Sequence, residues 1–182
     1  MIKHIIQTER LGLRKWTDAD FVPFTEMNKD NQVMEYFPKI LTDVETNELI
    51  KKINKHFDIY GFGLFAVEKL ATKEFVGFTG FMIPTFESFF TPCIEIGWRI
   101  TKQDWGKGYA TEAAKACLCY GFTTLQFTKV YSFTSVANLR SEKVMQKIGM
   151  VKAGEFDHPN IPLNNPLCRH LLYEICAYSN KI

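Results

Sequence analysis

Residues 93–122, CIEIGWRITKQDWGKGYATEAAKACLCYGF, join an alternating segment to a helical one through a glycine-bearing turn. Every second residue of the first part is apolar, which predicts a strand with one apolar face: Ile94, Ile96, Trp98 and Ile100. The opposite face would carry Glu95, Gly97 and Arg99. Mostly small residues then recur at helical spacing and predict a helix lying close to a sheet: Ala110, Ala113, Ala114, Cys117, Leu118 and Gly121.

The glycine turn, residues 105–110, has the features of a phosphate site. Glycines let the backbone approach an anion, successive N–H groups form a nest of donors, and a helix N-terminus adds partial positive charge. Lys107 adds a full charge. The turn matches neither the P-loop pattern nor the dinucleotide pattern, whose third glycine is replaced by Thr111. An ordinary strand-to-helix turn is the alternative, and this segment alone leaves both interpretations open.

Composition narrows the class of protein. A chain of 182 residues with 46% hydrophobic residues predicts one globular domain, residues 1–182. Lys and Arg number 22 against 20 Asp and Glu, which argues against nucleic acid as the main partner. No apolar run has the length of a membrane span, and the N-terminus lacks the apolar core of a signal peptide. Five scattered cysteines predict reduced thiols in a cytoplasmic protein, and neither they nor the histidines have metal-binding spacing.

The rest of the chain predicts a mixed α+β fold. Thr17 and Asp20, and again Thr42 and Glu45, have the spacing of helix-capping boxes, and the second helix should end near Gly61. A short helix is expected at 138–148. Alternating segments predict further strands at 8–16, 64–70, 75–83, 129–136, 151–156 and 170–178. Between two of them, residues 85–92 should form a loop with exposed aromatic residues.

This order of elements resembles the GNAT superfamily of acyl-CoA-dependent N-acetyltransferases. Its signature is [Q/R]-x-x-G-x-[G/A] at the central helix, followed by N-x-x-[A/S]…G-[F/M], which resembles NLRSEKVMQKIGM here. Residues 103–108 satisfy the first letters, but the register 105–110 is preferred because it places Ala110 in the small-residue stripe. Trp105 then replaces the usual Gln or Arg. TERLGLR, EIGW and GKGYATEA are similar to the RimJ/RimL-type branch, which acetylates protein N-termini, usually of ribosomal proteins.

The resemblance, which extends over residues 8–178, implies a single-domain fold and a site for acetyl-CoA as co-substrate. The sheet would be mixed and mostly antiparallel, with about seven strands, flanking helices and a splayed central strand pair that receives the cofactor. Trp98 and Ile100 would contribute backbone contacts, and the pyrophosphate would meet the glycine turn. Asn138 would contact the cofactor, cap a helix, or do both. The residues implied at the cofactor are Trp98, Ile100, Trp105, Gly106, Lys107, Gly108, Tyr109, Ala110 and Asn138.

The same comparison implies direct attack of a primary amine on the thioester. Glu95 is the candidate general base, with a cross-sheet ion pair as its alternative role. Many family members carry a Tyr seven residues after the Asn, but this chain has Met145 there. Ser141, where the RimJ/RimL-type branch carries Ser, is the candidate donor to the leaving thiolate. An ordinary first-turn serine is the alternative.

The sequence gives the least information about the residues that would surround the amine acceptor. Phe86, Glu87, His158 and His170 would flank the amine entrance, each with loop packing as its alternative role. The two histidines are also candidate proton acceptors. The acceptor would be a protein N-terminus or a small-molecule amine, and exposed aromatics leave a homodimer open. A non-catalytic acyl-CoA sensor of the same fold and a nucleotide-binding protein are the competing functions.

Overall fold

The computed structural model describes residues 3–177, which form eight strands and four α-helices. Tyr178, at the end of the last predicted strand, lies outside them. The strands are β1 (Ile6–Gln7), β2 (Leu11–Arg14), β3 (Leu64–Lys69), β4 (Phe75–Met82), β5 (Glu95–Ile100), β6 (Lys129–Ser135), β7 (Val151–Asp157) and β8 (Arg169–Cys176). The helices are α1 (Phe21–Lys29), α2 (Asp43–Tyr60), α3 (Tyr109–Thr123) and α4 (Leu139–Lys147).

All the strands belong to one sheet, in the order β1-β2-β3-β4-β5-β6-β8-β7. Neighbouring strands are antiparallel except β5 and β6, which are parallel and share a single register pair, Glu95 with Tyr131. The predicted mixed, mostly antiparallel sheet with a splayed central pair is therefore confirmed. Within the described range, no helix is both long and apolar enough to cross a membrane.

The prediction of one strand over residues 8–16 is wrong. The Thr8 backbone N–H donates to Leu11 O at 2.9 Å, and the Thr8 hydroxyl accepts from Leu11 N at 2.9 Å. A side chain that bonds nearby backbone in this way competes with a continuous ladder. The chain therefore turns and forms two short strands, β1 and β2, which is why the sheet has eight strands instead of about seven.

Helix α3 covers the apolar face of β5, as its small residues predict. Ala113, Ala114 and Cys117 have no exposed surface. Gly121 lies so close to the sheet that an added Cβ would be 2.7 Å from Phe81 Cζ. Thr79 of β4 is the cross-strand partner of Trp98 and contacts Cys117 of α3. Because cross-strand partners lie on one side of a sheet, Trp98 belongs to the face that α3 covers.

Helix α1 covers the other face of the sheet. Its Phe24 packs against Phe78, whose partner across β4 and β5 is Arg99. Asn28 of α1 donates to the Thr46 hydroxyl of α2 at 3.2 Å, which ties the two helices together. Glu95, Gly97 and Arg99 therefore face α1, and the two sides of β5 have different chemistry.

The close contact of α3 predicts a stability effect. Gly121→Val should lower the free energy of unfolding by about 2 kcal/mol, because the new side chain must displace the buried Phe81 ring. Urea unfolding measures this change. Cys119→Val, at an exposed position of the same helix, is the control and should change stability by less than about 0.5 kcal/mol. Equal effects at both positions would contradict the proposed packing.

Candidate active site

A V-shaped gap opens between β5 and β6 beyond their single register pair. Tyr131 N donates to Ile94 O at 2.8 Å at the closed end. Thr101 N donates a hydrogen bond to Val76 O of the neighbouring strand, so Thr101 and every second residue before it direct their backbone groups toward β4. The backbone groups of Trp98 and Ile100 therefore point the other way, toward β6. Among residues 3–177, no register pair joins Trp98 or Ile100 to β6. Backbone polar groups therefore line the gap, as an amide-containing ligand requires.

The glycine turn presents a run of free backbone donors at the open end of this gap. Gly106 and Gly108 have φ values of 76° and 82°, a left-handed conformation that favours glycine. In the described part of the chain, none of the N–H groups of residues 106–111 donates a hydrogen bond. An added Cβ at Gly106 would have no atom within 4 Å. The backbone is therefore accessible to an anion at the N-terminus of α3.

A buried carboxylate holds Lys107 beside this turn. Lys107 Nζ donates to Asp104 Oδ1 at 2.8 Å, and Lys69 Nζ lies 3.1 Å from the same oxygen. Burial alone would raise the pKa of Asp104, but hydrogen bonds from Lys107, Lys69 and Thr101 keep it below its usual value. Asp104 is therefore ionised at neutral pH and fixes the ammonium group of Lys107 at the turn.

Arg10 reaches the same turn from the connection between β1 and β2. Its Nη1 donates to Lys107 O at 3.1 Å, its Nε donates to Glu112 Oε2 at 2.7 Å, and its guanidinium lies 4.7 Å from the Tyr109 ring centroid. Sequence reasoning missed this cation. Its motif, TERLGLR, contains the residue, but no local spacing connects it to a turn nearly a hundred positions away.

Trp105, which departs from the family signature, forms a hydrogen bond with the last residue of β5. Its Nε1 donates to Ile100 O at 2.9 Å, so that carbonyl has one lone pair left for a ligand. The guanidinium of Arg140, in the first turn of α4, lies 4.3 Å from the indole centroid. Arg140 Nη2 also donates to Glu35 Oε2 at 2.7 Å. This second missed cation connects the β5 side of the gap to α4.

Asn138 and Ser141 lie together at the start of α4. Asn138 is the helix N-cap: its Oδ1 accepts from Ser141 N at 3.2 Å. Its Nδ2 donates to Ser141 Oγ at 3.1 Å and to Thr134 Oγ1 at 3.0 Å. The predicted N-cap role is confirmed. Met145, at the family's usual Tyr position, is fully buried.

Glu95 has no compensating charge in contact. The ion pairs of residues 3–177 do not include it, so the structure does not show the predicted cross-sheet pair. The residue keeps some exposed surface, yet loss of hydration raises the pKa of its carboxyl to about 8 despite the nearby positive charge of Lys52. Its Oε1 leans over Gly97, 3.8 Å from an added Cβ there. A carboxyl with this pKa is suited to proton transfer near neutral pH.

The predicted acceptor residues divide into an aromatic cluster and an exposed carboxylate. Phe86, His158 and His170 pack together, with ring centroids 4.7 Å apart for Phe86 and His158 and 5.1 Å for the two histidines. Loss of hydration lowers the pKa of both histidines, and His170 further lowers that of His158. Both are therefore neutral at pH 7. Glu87 is exposed in the loop before β5.

The expectation of exposed aromatics in residues 85–92 is wrong for all but one ring. Phe89 is 74% exposed, whereas Phe90 is buried and Phe86 is partly buried. Both pack on Phe156 of β7, with centroids 4.9 Å away for Phe90 and 6.2 Å away for Phe86. The loop folds back because burying these rings removes apolar area from water.

The other kinds of ligand site in a protein include cavities, metal-binding groups and paired cysteines. A cavity of about 450 Å³ adjoins the closed end of the gap, lined by Ile83, Phe90, Pro92, Cys93, Ile94, Lys129 and Tyr131, and Glu95 is not among its lining residues. Across residues 3–177, no group of three or more His, Cys, Asp or Glu could hold a metal ion. All five cysteines are free.

The raised pKa of Glu95 predicts a pH-dependent stability. Between its ordinary value of 4.5 and about 8, the folded protein holds a proton that the unfolded chain has lost. Raising the pH through this window therefore favours unfolding. Relative to the parent, Glu95→Gln should gain stability from pH 5 to pH 8, as measured by urea unfolding. Glu26→Gln, at an exposed site on α1, controls for a lost surface charge. A pH-independent difference for Glu95→Gln would contradict the raised pKa.

Comparisons with known proteins identify the family of the chain. A family model described as "Acetyltransferase (GNAT) domain" matches residues 10–151. The "Uncharacterized protein YkkB" of Bacillus subtilis is 35% identical over 144 residues, covering 79% of this chain and 83% of that protein. The "Uncharacterized N-acetyltransferase YnaD" of B. subtilis is 30% identical, covering 83% and 85%.

A solved structure gives the same result. The acetyltransferase (GNAT family) from Bacillus anthracis superposes with a TM-score of 0.78 and 31% identity, covering 95% of this chain and 98% of that one. The family match spans most of the chain and includes the gap, the glycine turn and Glu95. The chain belongs to the GNAT acetyltransferase family.

Proposed function

We propose that this GNAT enzyme transfers the acetyl group of acetyl-CoA to a primary amine by direct attack, with Glu95 as the proton acceptor. Members of the family use acetyl-CoA, and the relative YnaD is named an N-acetyltransferase. The observation that carries the proposal is the position of an unpaired carboxyl at the closed end of a gap lined by unpaired backbone groups.

The cofactor would lie along the gap, with its phosphates at the glycine turn. The free N–H groups of residues 106–111 would bind the pyrophosphate, and Lys107 and Arg10 would add positive charge. The backbone of Trp98 and the remaining lone pair of Ile100 O would meet the pantetheine amides. Asn138 already uses its side-chain amide within the protein, so its contribution would come mainly from positioning α4.

The amine would approach on the face of β5 that carries Glu95. An amine is mostly protonated at neutral pH and must lose a proton before or during attack. Its nitrogen forms a bond to the thioester carbon, the C–S bond breaks, and Glu95 takes the proton directly or through a water. A pKa of about 8 makes Glu95 a stronger base than an ordinary carboxylate.

Ser141 is the proposed donor to the departing thiolate. Its hydroxyl accepts a hydrogen bond from Asn138 Nδ2, which leaves its own proton available for donation. Because Met145 has no hydroxyl, Ser141 is the polar group of α4 that matches the branch pattern. A thiolate leaves readily without help, so Ser141 contributes less than Glu95.

Relatives with named acceptors differ in what they acetylate. The FsC-acetyl coenzyme A-N(2)-transacetylase of Aspergillus fumigatus is 30% identical, covering 75% of this chain and 60% of that protein. The spermidine N(1)-acetyltransferase of Escherichia coli is 37% identical over 59 residues. The motifs TERLGLR and GKGYATEA support the RimJ/RimL-type branch as a proposal, and the free cysteines support a reducing, cytoplasmic location.

The function is tested by thiol release from acetyl-CoA over a panel of amines and N-terminal peptides. The transferase predicts thiol release with at least one acceptor and one acetylated product per thiol. Tight binding of CoA with no thiol release would favour the acyl-CoA sensor. Preferential binding of ATP or NAD over CoA would reject the assignment of the gap.

The glycine turn predicts a specific loss of cofactor binding. Gly108→Val should lower CoA affinity roughly 10- to 100-fold, because the side chain would occupy the phosphate position and displace donors to a charged group. Isothermal titration measures this. Gly61→Val at the end of α2 is a matched control, since Gly61 has a φ of 76° and no atom near an added Cβ. It carries the same backbone strain and should bind CoA normally.

Glu95 predicts a change in turnover rather than in binding. Glu95→Gln should lower kcat by about 100-fold or more while CoA affinity changes little, because general base catalysis contributes factors of this size. The parent's pH–rate profile should show an inflection near pH 8 from Glu95, and this inflection should be absent from the variant. Glu26→Gln is the control for the substitution itself. A parental pH–rate profile in Glu95→Gln would remove this residue from the mechanism.

A further inference from the structure

Arg99 is a buried cation without an acidic partner. The residue is only 9% exposed, and no carboxylate of residues 3–177 lies within ion-pair distance of it. Its Nη1 donates to Asn28 Oδ1 at 2.5 Å, but its buried Nε has no hydrogen-bond partner in the described structure. Loss of hydration lowers the pKa of Arg99 to about 10. Leaving a buried guanidinium in this state is costly.

A second buried arginine, Arg14, has different surroundings from those of Arg99. Arg14 donates to Asp20 at 2.7 and 2.8 Å and to Glu68 at 2.6 Å, so two carboxylates balance its charge. These pairs raise the pKa of Arg14. Arg99 has instead one neutral amide and two aromatic faces, Phe37 at 4.0 Å and Phe78 at 5.3 Å. Its charge is held in place without being neutralised.

A contact with α1, which is itself tied to α2, fixes the position of Arg99. Asn28 is fully buried, and its Nδ2 donates to Thr46, which orients its Oδ1 toward Arg99. Phe37, which lies on the guanidinium, is 37% exposed. The guanidinium therefore lies beneath a partly exposed ring of the segment between α1 and α2.

Glu95 and Arg99 lie on the same face of one strand. Both belong to the α1 face of β5, with Gly97 between them. Among residues 3–177, the only atom within 4 Å of an added Cβ on Gly97 is Glu95 Oε1, so the described structure leaves the strand uncovered there. Arg99 is two residues further along, which corresponds to about 6.6 Å of strand. The Glu95 carboxyl and the Arg99 guanidinium, neither of which forms an ion pair among residues 3–177, thus lie on one strand face with an uncovered glycine between them.

We propose that Arg99 binds the acceptor, and that the acceptor is a compact primary amine carrying a carboxylate. This assignment rests on the proposed transferase function. The amino group would lie at Glu95 and the carboxylate at Arg99, whose Nε and outer nitrogen form the bidentate fork that carboxylates fit. The ligand would supply the negative charge that the protein does not. Polyamines, which bring only positive charge, would be poor acceptors.

Matched acceptor pairs test the assignment on the intact parent protein. Thiol release from acetyl-CoA is measured with glycine and glycinamide, β-alanine and β-alaninamide, 4-aminobutyrate and 4-aminobutanamide, and with spermidine. At least one carboxylate should exceed its amide partner roughly 10- to 100-fold in kcat/KM, the size of a lost hydrogen-bonded charge contact. This comparison requires no variant and is independent of folding effects.

Variants of Arg99 identify the residue responsible. Arg99→Met should remove the preference by lowering kcat/KM for the carboxylates alone, chiefly through KM, while CoA affinity and kcat for the amides stay within about threefold of the parent. Arg99→Lys keeps the charge and should restore part of the preference. Equal losses for carboxylates and amides in Arg99→Met would show a structural role and overturn the assignment.

The outcomes separate the two proposals. Turnover of amides, peptides or spermidine that equals or exceeds turnover of the carboxylates overturns the assignment of Arg99 and leaves the transferase intact. CoA binding without thiol release from any acceptor, including the wider amine and peptide panel, overturns the transferase and with it the acceptor assignment.

Discussion

The early end of the pairing between β5 and β6 is the constraint on which the site depends. The two strands are parallel and are joined at one register pair, after which their backbone groups have no partner across the gap. Unpaired backbone groups are tolerated only where water or a ligand satisfies them. The same divergence brings the chain leaving β5 to the open end of the gap, where the glycine turn exposes its N–H groups and α3 begins.

The two faces of β5 have different roles in the site. The face toward α3 is apolar and closely packed, with Ile96 fully buried, so it holds the sheet and the glycine turn rigidly. The face toward α1 carries Glu95 and Arg99, neither of which has an opposite charge in contact among the described residues. Keeping a carboxyl and a guanidinium on one face without pairing them costs stability, and such an arrangement persists where a substrate uses it.

Local patterns predicted the elements that form the gap, because those elements are encoded by periodicity. The alternation in β5, the small-residue stripe of α3 and the capping box at Thr42 each involve neighbouring residues, and each element is present. The sequence also indicated Glu95 and Asn138 through family motifs. It failed at β1 and β2, where hydrogen bonds between Thr8 and Leu11 divide a continuous alternation.

Residues that reach the site across the sheet could not be predicted in this way. Arg10 meets Lys107, and Arg140 meets Glu35, across about a hundred positions of chain, and no local spacing reports such a contact. The significance of Arg99 depends on which carboxylates are absent around it, a property of the folded surroundings. An alternating strand pattern identified its face and said nothing of its partners.

Trp105 shows how a departure from the family signature can preserve the physical requirement behind it. The Gln or Arg usually found there would offer side-chain N–H donors. The indole has one N–H group, which donates a hydrogen bond to Ile100 O. The indole lacks further donors for a phosphate, but its flat face receives the guanidinium of Arg140 at 4.3 Å. A cation of α4 therefore joins Lys107 and Arg10 near the mouth of the gap, and the turn retains its geometry.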